Sequence, residues 1–224
     1  MRDRLAQVQA NVAKQLLLND LVPTLETNFD EYVAVVDQAP AWYDRRLGVV
    51  DPDHNTLGPK NAFWVALRNG KGEVVTCCAQ RVWESASFVE LVERGRFMYD
   101  GTKTPGQDSF RLFTDGLDHI RGNIAFSGGG WVHPKVRGNA LPTLALVLAQ
   151  AKLVQDWDVD YCFSIVRPEL VQKGVAVNTY RFYHMDFGGT LWRMQPADRL
   201  ETWVIHNSRA DMERELSLWL NSSG

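Results

Sequence analysis

One short stretch of the chain restricts its fold more than any other, the run "GGGWVHPKVRGNALPTLALVLAQA" from Gly128 to Ala151. It passes from three glycines in a strand-like run, through a short basic turn, into a strongly apolar helix. Each glycine weakens a strand by roughly 0.5–1 kcal/mol relative to alanine, so the run predicts a bulge or a close approach to the backbone. We therefore expect a strand with a loosened end, a turn and a helix in direct succession.

The turn and the start of the helix together have the chemistry of an anion site. The first turn of a helix presents about four N–H groups without intrahelical partners and a partial positive charge. Arg137 and Lys135 add full charges there, and Asn139 is a candidate N-cap. Such a helix start predicts a phosphate site. A ligand that joins an amide-bearing arm to a pyrophosphate, as coenzyme A does, suits the loosened strand and the helix start together.

The segment "VHPKVRGNALPTLAL" resembles motif A of the GNAT superfamily of acyl-CoA-dependent N-acyltransferases, which runs Val-x-Pro-x-x-Arg-Gly-x-Gly-x-Gly/Ala. The matching positions are Val132, Pro134, Arg137 and Gly138. The resemblance extends from the "AFWVALRNGKGEVV" hairpin to the "YRFYHMDFGGTLW" segment, and the order of elements agrees as well.

The segment departs from the family at two loop glycines, which are replaced by Ala140 and Pro142. Proline removes one backbone donor, although that donor has no partner inside a first helical turn. The expected consequence is one hydrogen bond fewer to phosphate, with no threat to the fold.

The resemblance implies an α/β (α+β) fold, with a mixed, mostly antiparallel sheet, helices on both faces and an insertion between the family's third and fourth strands. In this interpretation residues 1–224 form a single GNAT-like domain with an N-terminal helical extension over about 1–20 and an insertion over about 85–122. Residues 97–122 are polar with little periodicity, which predicts a loop or lid. The insertion is expected to shape the pocket for the acceptor.

Local patterns predict the other elements. A capping box at Asn28 and Glu31 starts a second helix, which Pro40 ends, and Asn69-Gly70 supplies the positive φ angles of a hairpin turn. Short helices are expected after the cap residues Ser87 and Ser208. "VDYCFSIV" is predicted to be a central strand, "ELVQKGVAVNTYRFYHM" a weak helix, and "GTLWRMQ" with "ETWVIHN" a closing strand pair.

The resemblance also implies roles for particular residues. The expected cofactor-binding residues are Trp131, Val132, Arg137, Gly138, Asn139 and Ala140. A backbone N–H of Trp131 or Val132 would polarise the thioester carbonyl. Tyr183 would donate a proton to the leaving thiolate, with simple packing of its ring as the alternative. Counting back from Phe187 places Phe182 at the family's tyrosine position, and a deletion of one residue would restore Tyr183.

The general base is open, because the strand "IAFSGGGWV" contains no glutamate. The candidates are Glu84, at the end of the preceding strand, and His133, beside the turn. Each residue also has an explanation without a catalytic role: Glu84 as a solvated strand end and His133 as a surface residue beside the turn. Water is a third possibility for the base.

Other functions lack the required patterns. A net charge of −3 and a pI near 6.0 give no basic footprint for nucleic acid. The five histidines have no metal-ligand spacing, and no apolar run is long enough to span a membrane. Three cysteines do not suggest a disulfide framework, so we expect a cytoplasmic protein.

The sequence thus predicts an N-acyltransferase that uses acetyl-CoA or another short acyl-CoA and a small-molecule amine acceptor. The alternative is a GNAT-like protein that binds a ligand or partner without catalysis. A homodimer is open, and the acceptor and the acyl length are not predicted.

Overall fold

The structure is a computed structural model that describes residues 2–38, 46–106, 108–194 and 197–221. Its helices are α1 (Arg2–Leu17), α2 (Phe29–Val36), α3 (Phe88–Glu93), α4 (Leu141–Asp156), α5 (Pro168–Gln172), α6 (Val175–Asn178) and α7 (Arg209–Asn221). Its strands are β1 (Leu21–Glu26), β2 (Ala62–Asn69), β3 (Val74–Ser87), β4 (Ser109–Leu112), β5 (Arg121–Val132), β6 (Tyr161–Val166), β7 (His184–Met194) and β8 (Ala197–Ser208). Short 3-10 turns lie at Gly48–Val50 and Pro134–Val136.

The strands form one eight-stranded sheet in the order β1-β2-β3-β5-β6-β8-β7-β4. Among the described strands, β5 and β6 are the parallel pair and the other neighbours are antiparallel. Parallel neighbours need a crossover, and α4 supplies it. The predicted mixed, mostly antiparallel sheet is therefore confirmed.

Helices cover both faces of this sheet. On one face, α1, α4 and α7 pack with α5 and α6 over an aliphatic core. The helix α4 is buried along most of its length, because the sheet lies on one side of it and α1 and α7 lie on the other. The opposite face carries α2 and α3 over a second core that is rich in aromatic rings. The long α4 is thereby held rigidly, with its first turn at the end of β5.

The expected loop is confirmed for most of the described residues in 97–122, whereas a lid stays a prediction. β4 lies within this segment and extends the sheet beside β7. Apolar residues along the whole segment are buried in the aromatic core, namely Phe97, Met98, Tyr99, Phe110, Leu117 and Ile120. These anchors are spaced irregularly among polar residues, so no helical or strand period was visible in the sequence.

The N-terminal part of the chain differs from the expectation in two respects. β1 was not predicted, since it contains Pro23 and lacks a regular alternation, but proline is tolerated at the edge position that β1 has. Asn28 does cap α2 by accepting from the amide of Asp30 at 3.1 Å. Glu31 does not close the capping box, because its carboxylate binds Arg68 at 2.6 Å. Pro40 lies outside the described residues.

Most other local predictions are confirmed. Ser87 and Ser208 cap α3 and α7 by accepting backbone N–H groups at 3.4 and 3.3 Å. Gly174, at φ +70°, divides the weak helix into α5 and α6, and the predicted helix is wrong beyond Asn178, since β7 begins at His184. In the β2–β3 hairpin the positive φ belongs to Gly72, at +79°, and not to Asn69-Gly70. None of the helices in the described part of the chain combines the length and the apolar character that a membrane span needs. The cytoplasmic location stays a prediction.

Candidate functional site

The strands β5 and β6 part from each other after a short paired stretch. Residues 124–126 of β5 pair with residues 161–163 of β6, and no later pair between them occurs in the described residues. Both strands nevertheless continue, β5 to Val132 and β6 to Val166. The backbone of residues 127–132 therefore forms one wall of a cleft between two diverging strands.

The same part of β5 carries a bulge toward its other neighbour. β3 and β5 lose register between Cys77 and Ala79. Gly129 lies opposite this irregularity with a φ of +58°, and a Cβ at this position would be 2.0 Å from the hydroxyl oxygen of Tyr32. Glycine adopts this positive φ without strain, and it has no Cβ to clash with the tyrosine hydroxyl. The loosened strand that the glycine run predicts is thus confirmed.

The turn after β5 leads to an open helix start. Gly138 has a φ of +85°, with no atom within 4 Å of a Cβ placed there. The N-cap is Ala140, which makes no side-chain cap bond, so the expectation that Asn139 caps the helix is wrong. Leu144 donates to the carbonyl of Ala140 at 3.1 Å. The N–H groups of Leu141 and Thr143 therefore have no intrahelical acceptor, and Pro142 between them has no N–H.

Arg137 lies beside this helix start with an exposed side chain. Its Nε donates to the carbonyl of Val132 at 3.3 Å, which holds the guanidinium next to the end of β5. Lys135 is exposed in the same turn. The positive charges predicted for an anion site thus lie at the helix start, at the mouth of the cleft.

Trp131 and His133, beside the turn, differ in their contacts, since the buried indole N–H of Trp131 has no hydrogen-bond partner among the described residues. The indole ring of Trp131 is buried in the aromatic core, so only its backbone is available to the cleft. His133 accepts the amide of Lys135 at its Nδ1, at 3.2 Å, and so caps the 3-10 turn. This bond explains the histidine without a role as a base.

A tyrosine that the sequence analysis missed lies close to the start of α4. Thr143, in the first turn of α4, donates its hydroxyl to the carbonyl of Thr179 at 2.9 Å. This bond brings Tyr180 next to the helix start. Its ring packs against the aliphatic core, and burial raises the pKa of its hydroxyl. The signal in the sequence was a tyrosine at the end of the weak helix, three residues before the one that we considered.

The apex of the cleft, where the two strands separate, is polar. Ser127 follows the last paired residue of β5, and its hydroxyl is buried with no hydrogen-bond partner among the described residues. An unpartnered hydroxyl and an unpaired strand edge both suit a ligand arm that carries amide groups. The described residues contain no group of three or more histidine, cysteine, aspartate or glutamate side chains arranged to hold a metal ion.

Tyr183 has a partner that does not belong to the cleft. Its hydroxyl donates to Glu215 of α7, and Arg181 binds the same carboxylate at 2.9 Å. Burial and the bond to the carboxylate raise the pKa of Tyr183 to about 12. The ring of Phe182, at the family's tyrosine position, lies in the aliphatic core. The role of Tyr183 as an acid stays a prediction, and this geometry does not favour it.

The structure does not bring Glu84 together with the bulge. Ala79 of β3 pairs with Gly128, and Glu84 lies five residues further along β3, roughly 17 Å away in an extended strand. Its side chain is exposed beside Lys152 and Asp156, near the C-terminal end of α4. We therefore correct the expected placement of Glu84 at the reacting centre, and its role as a base stays untested.

Two surface cavities among the described residues also lie away from the cleft. One, of about 540 Å³, is lined by the two ends of the insertion, including Ser87, Arg96 and Arg121. The other, of about 440 Å³, contains Glu84 and Trp157. Both lie at the end of the sheet opposite to the turn that contains Arg137, since Ser87 pairs with Arg121 at the start of β5. The expected acceptor pocket therefore stays a prediction.

Neither a protein-family model nor a curated protein sequence matches the chain. Solved structures of acetyltransferases are similar to it. Arabidopsis thaliana NAA60 in complex with acetyl-CoA has a TM-score of 0.49 and 8% identity, over 84% of this chain and 99% of that chain. An aminoglycoside acetyltransferase in complex with coenzyme A and kanamycin has a TM-score of 0.46 and 12% identity, over 87% and 98%. The ribosomal-protein-S5-alanine acetyltransferase of Vibrio fischeri has a TM-score of 0.49 and 7% identity, over 86% and 95%.

These similarities come with low sequence identity, and the resemblance of the chain to the GNAT superfamily stays a prediction. The strand order confirms the predicted architecture, a mixed, mostly antiparallel sheet, with β4 at one edge.

Proposed function

We propose that the chain is an acyl-CoA-dependent N-acyltransferase that transfers an acetyl or short acyl group to a small-molecule amine. One observation carries the proposal: the unpaired edge of β5 leads directly to the open first turn of α4 beside Arg137. An unpaired strand edge and a first helical turn without a side-chain cap leave backbone groups that a ligand would satisfy.

The two features suit the two ends of an acyl-CoA. The diphosphate would bind the amides at the start of α4 and the guanidinium of Arg137, where helix charge and side-chain charge add. Gly138 lets the backbone approach without a side chain. The pantetheine arm would lie along residues 127–132, roughly 17 Å of extended strand, and would place the thioester near the bulge.

The reaction needs few protein groups. The amine nitrogen attacks the thioester carbon, the carbon–sulfur bond breaks, the amine loses a proton and the thiolate gains one. A backbone N–H in the bulged part of β5 would stabilise the charge that develops on the carbonyl oxygen. Tyr180 is a candidate donor to the thiolate, in addition to the predicted Tyr183. Water would accept the proton of the amine, since Glu84 lies apart from the bulge.

A titration of the purified chain with acetyl-CoA, followed by thermal unfolding, tests the proposal. A ligand at 100 times its Kd stabilises a protein by about 2.7 kcal/mol. The release of free CoA thiol with a panel of amines then tests turnover. An unchanged melting temperature with acetyl-CoA and with longer acyl-CoAs would contradict the proposal.

A second candidate function is the binding of an acyl-CoA or a similar ligand without catalysis. It is favoured by the position of Glu84, by the bond between Tyr183 and Glu215, and by Pro142 in the first turn of α4. Stabilisation by acyl-CoA without turnover of any amine in the panel would support this second function over the first.

A further inference from the structure

The bulge of β5 is held by a residue from the other face of the sheet. Tyr32, in the middle of α2, donates its hydroxyl to the carbonyl of Gly129 at 2.8 Å. The tyrosine is completely buried, and its ring packs against Phe29 and Trp64. The indole N–H of Trp64 in turn donates to the carbonyl of Asn28, the cap residue of α2, at 2.9 Å. These contacts hold α2 in the position from which the hydroxyl of Tyr32 reaches the bulge.

The bond matters because the bulge has little conformational preference of its own. Gly129 and Gly130 are consecutive glycines, which reach many backbone conformations at similar energy. A peptide plane between two glycines is therefore free to rotate unless a partner holds it. Fixing the carbonyl of Gly129 also fixes the N–H of Gly130, which points to the opposite side of the trans peptide.

We infer that Tyr32 is a positioning residue for the reacting centre, because its bond to the Gly129 carbonyl sets the direction of the next backbone N–H in the cleft. The inference rests on the proposed function. Tyr32 touches neither the donor nor the acceptor in this scheme, and it acts through the peptide between Gly129 and Gly130. The fit is reciprocal, since a Cβ on residue 129 would lie 2.0 Å from the tyrosine hydroxyl oxygen.

The variant Tyr32→Phe tests the inference, because it removes the hydroxyl and keeps the ring. We expect kcat for acetyl transfer to fall about tenfold to a hundredfold, as expected for a displaced oxyanion donor. The Kd for CoA, whose diphosphate would bind at the other end of the cleft, should change less than about threefold. A purely structural role would lower the melting temperature and leave kcat unchanged for the folded fraction.

The variant Tyr99→Phe is a matched control. Tyr99 is also buried in the aromatic core, and its hydroxyl accepts the amide of Asp108 at 3.0 Å. The Tyr99→Phe variant should lose about as much stability as Tyr32→Phe and keep the kcat of the wild type. Equal kcat in Tyr32→Phe and in an active wild type overturns the inference and leaves the proposed function intact. A wild type that neither binds CoA nor releases it from acetyl-CoA overturns both.

Discussion

Two polar regions of the chain differ in how their hydrogen-bonding groups are used. Within the described part of the chain, backbone groups at the end of β5 lack partners in β6 and the buried hydroxyl of Ser127 has no hydrogen-bond partner, while Arg137 and Lys135 of the next turn are exposed. Around Arg81, on the face that carries α2, the polar groups are buried and paired. The guanidinium of Arg81 binds the carbonyl of Val49 and the amide oxygen of Asn55 at 2.9 and 2.8 Å, and it lies 3.4 Å from a carboxylate oxygen of Asp100.

The comparison separates a place where the fold is held together from a place where a ligand is expected. Asn55 also donates to the carbonyls of Gly48 and Met98, so the network around Arg81 joins three separate segments of the chain. Burial lowers the pKa of Arg81 to about 10, and the nearby carboxylate of Asp100 partly opposes this effect. A charge this deeply buried is stable only with its partners. The described residues of the cleft form no such closed network, so backbone groups of β5 are available to a ligand.

The largest effect that this comparison predicts is the loss of Arg81. Arg81→Ala removes the donor to the carbonyl of Val49 and one partner from each of Asn55 and Asp100, and we expect a loss of about 3–5 kcal/mol in the free energy of unfolding. Denaturant unfolding measures it. The control is Arg121→Ala, whose exposed pair with Asp118 should contribute at most about 1 kcal/mol. A similar loss in both variants would remove the distinction between the two regions.

The second prediction concerns the cleft itself. Arg137→Glu should weaken the binding of CoA about tenfold to a hundredfold, because it replaces an attractive charge at the helix start by a repulsive one. The free energy of unfolding should change by less than about 0.5 kcal/mol, since the side chain is exposed. Calorimetric titration with CoA measures the affinity. Arg121→Glu, at the other end of β5, should keep the parental affinity, and an unchanged Kd in Arg137→Glu would remove this residue from the site.

The third prediction decides to which region Tyr183 belongs. Its bond to Glu215 assigns it to the packing of α7, so Tyr183→Phe should lower the free energy of unfolding by about 1 kcal/mol. The kcat should change by less than about twofold. If Tyr183 is instead the acid of the reaction, kcat falls by roughly 10² to 10⁴ while stability changes little. Steady-state kinetics beside thermal unfolding distinguish the two results.

The sequence predicted the features that local patterns determine. Gly138 and Arg137 lie in a turn before an apolar helix, and glycine preferences and helix periodicity are sufficient to indicate the turn and the helix. The role of Tyr32 was not visible, because it depends on a bond between residues that are 97 positions apart. The packing of Phe97 and Phe110 was missed for the same reason. A single apolar residue in a polar segment acquires its place only from the core that it meets.

The fourth and smallest prediction concerns a stack of three histidines beside β7 and β8, in which His206 pairs with Phe163 of β6. The ring of His206 lies 4.9 Å from that of His119 and 5.1 Å from that of His184, and its Nε2 is 3.1 Å from a carboxylate oxygen of Asp186. Burial lowers the pKa of His206, the carboxylate of Asp186 opposes this, and positive charge on the two neighbouring histidines adds to the lowering.

The unfolded chain therefore takes up a proton at His206 before the folded chain does, at about pH 6.5. The stability that the neutral ring contributes is present above this pH and is lost as the pH falls through the lower pKa of the folded state. His206→Gln keeps a donor for Asp186 and should show a smaller loss of unfolding free energy between about pH 7.5 and pH 5, where most carboxylates are still charged. Denaturant unfolding at several pH values measures the slope of the unfolding free energy against pH in the wild type and in the variant. The control His54→Gln, outside the stack, should retain the slope of the wild type, and a wild-type slope in His206→Gln would contradict the prediction.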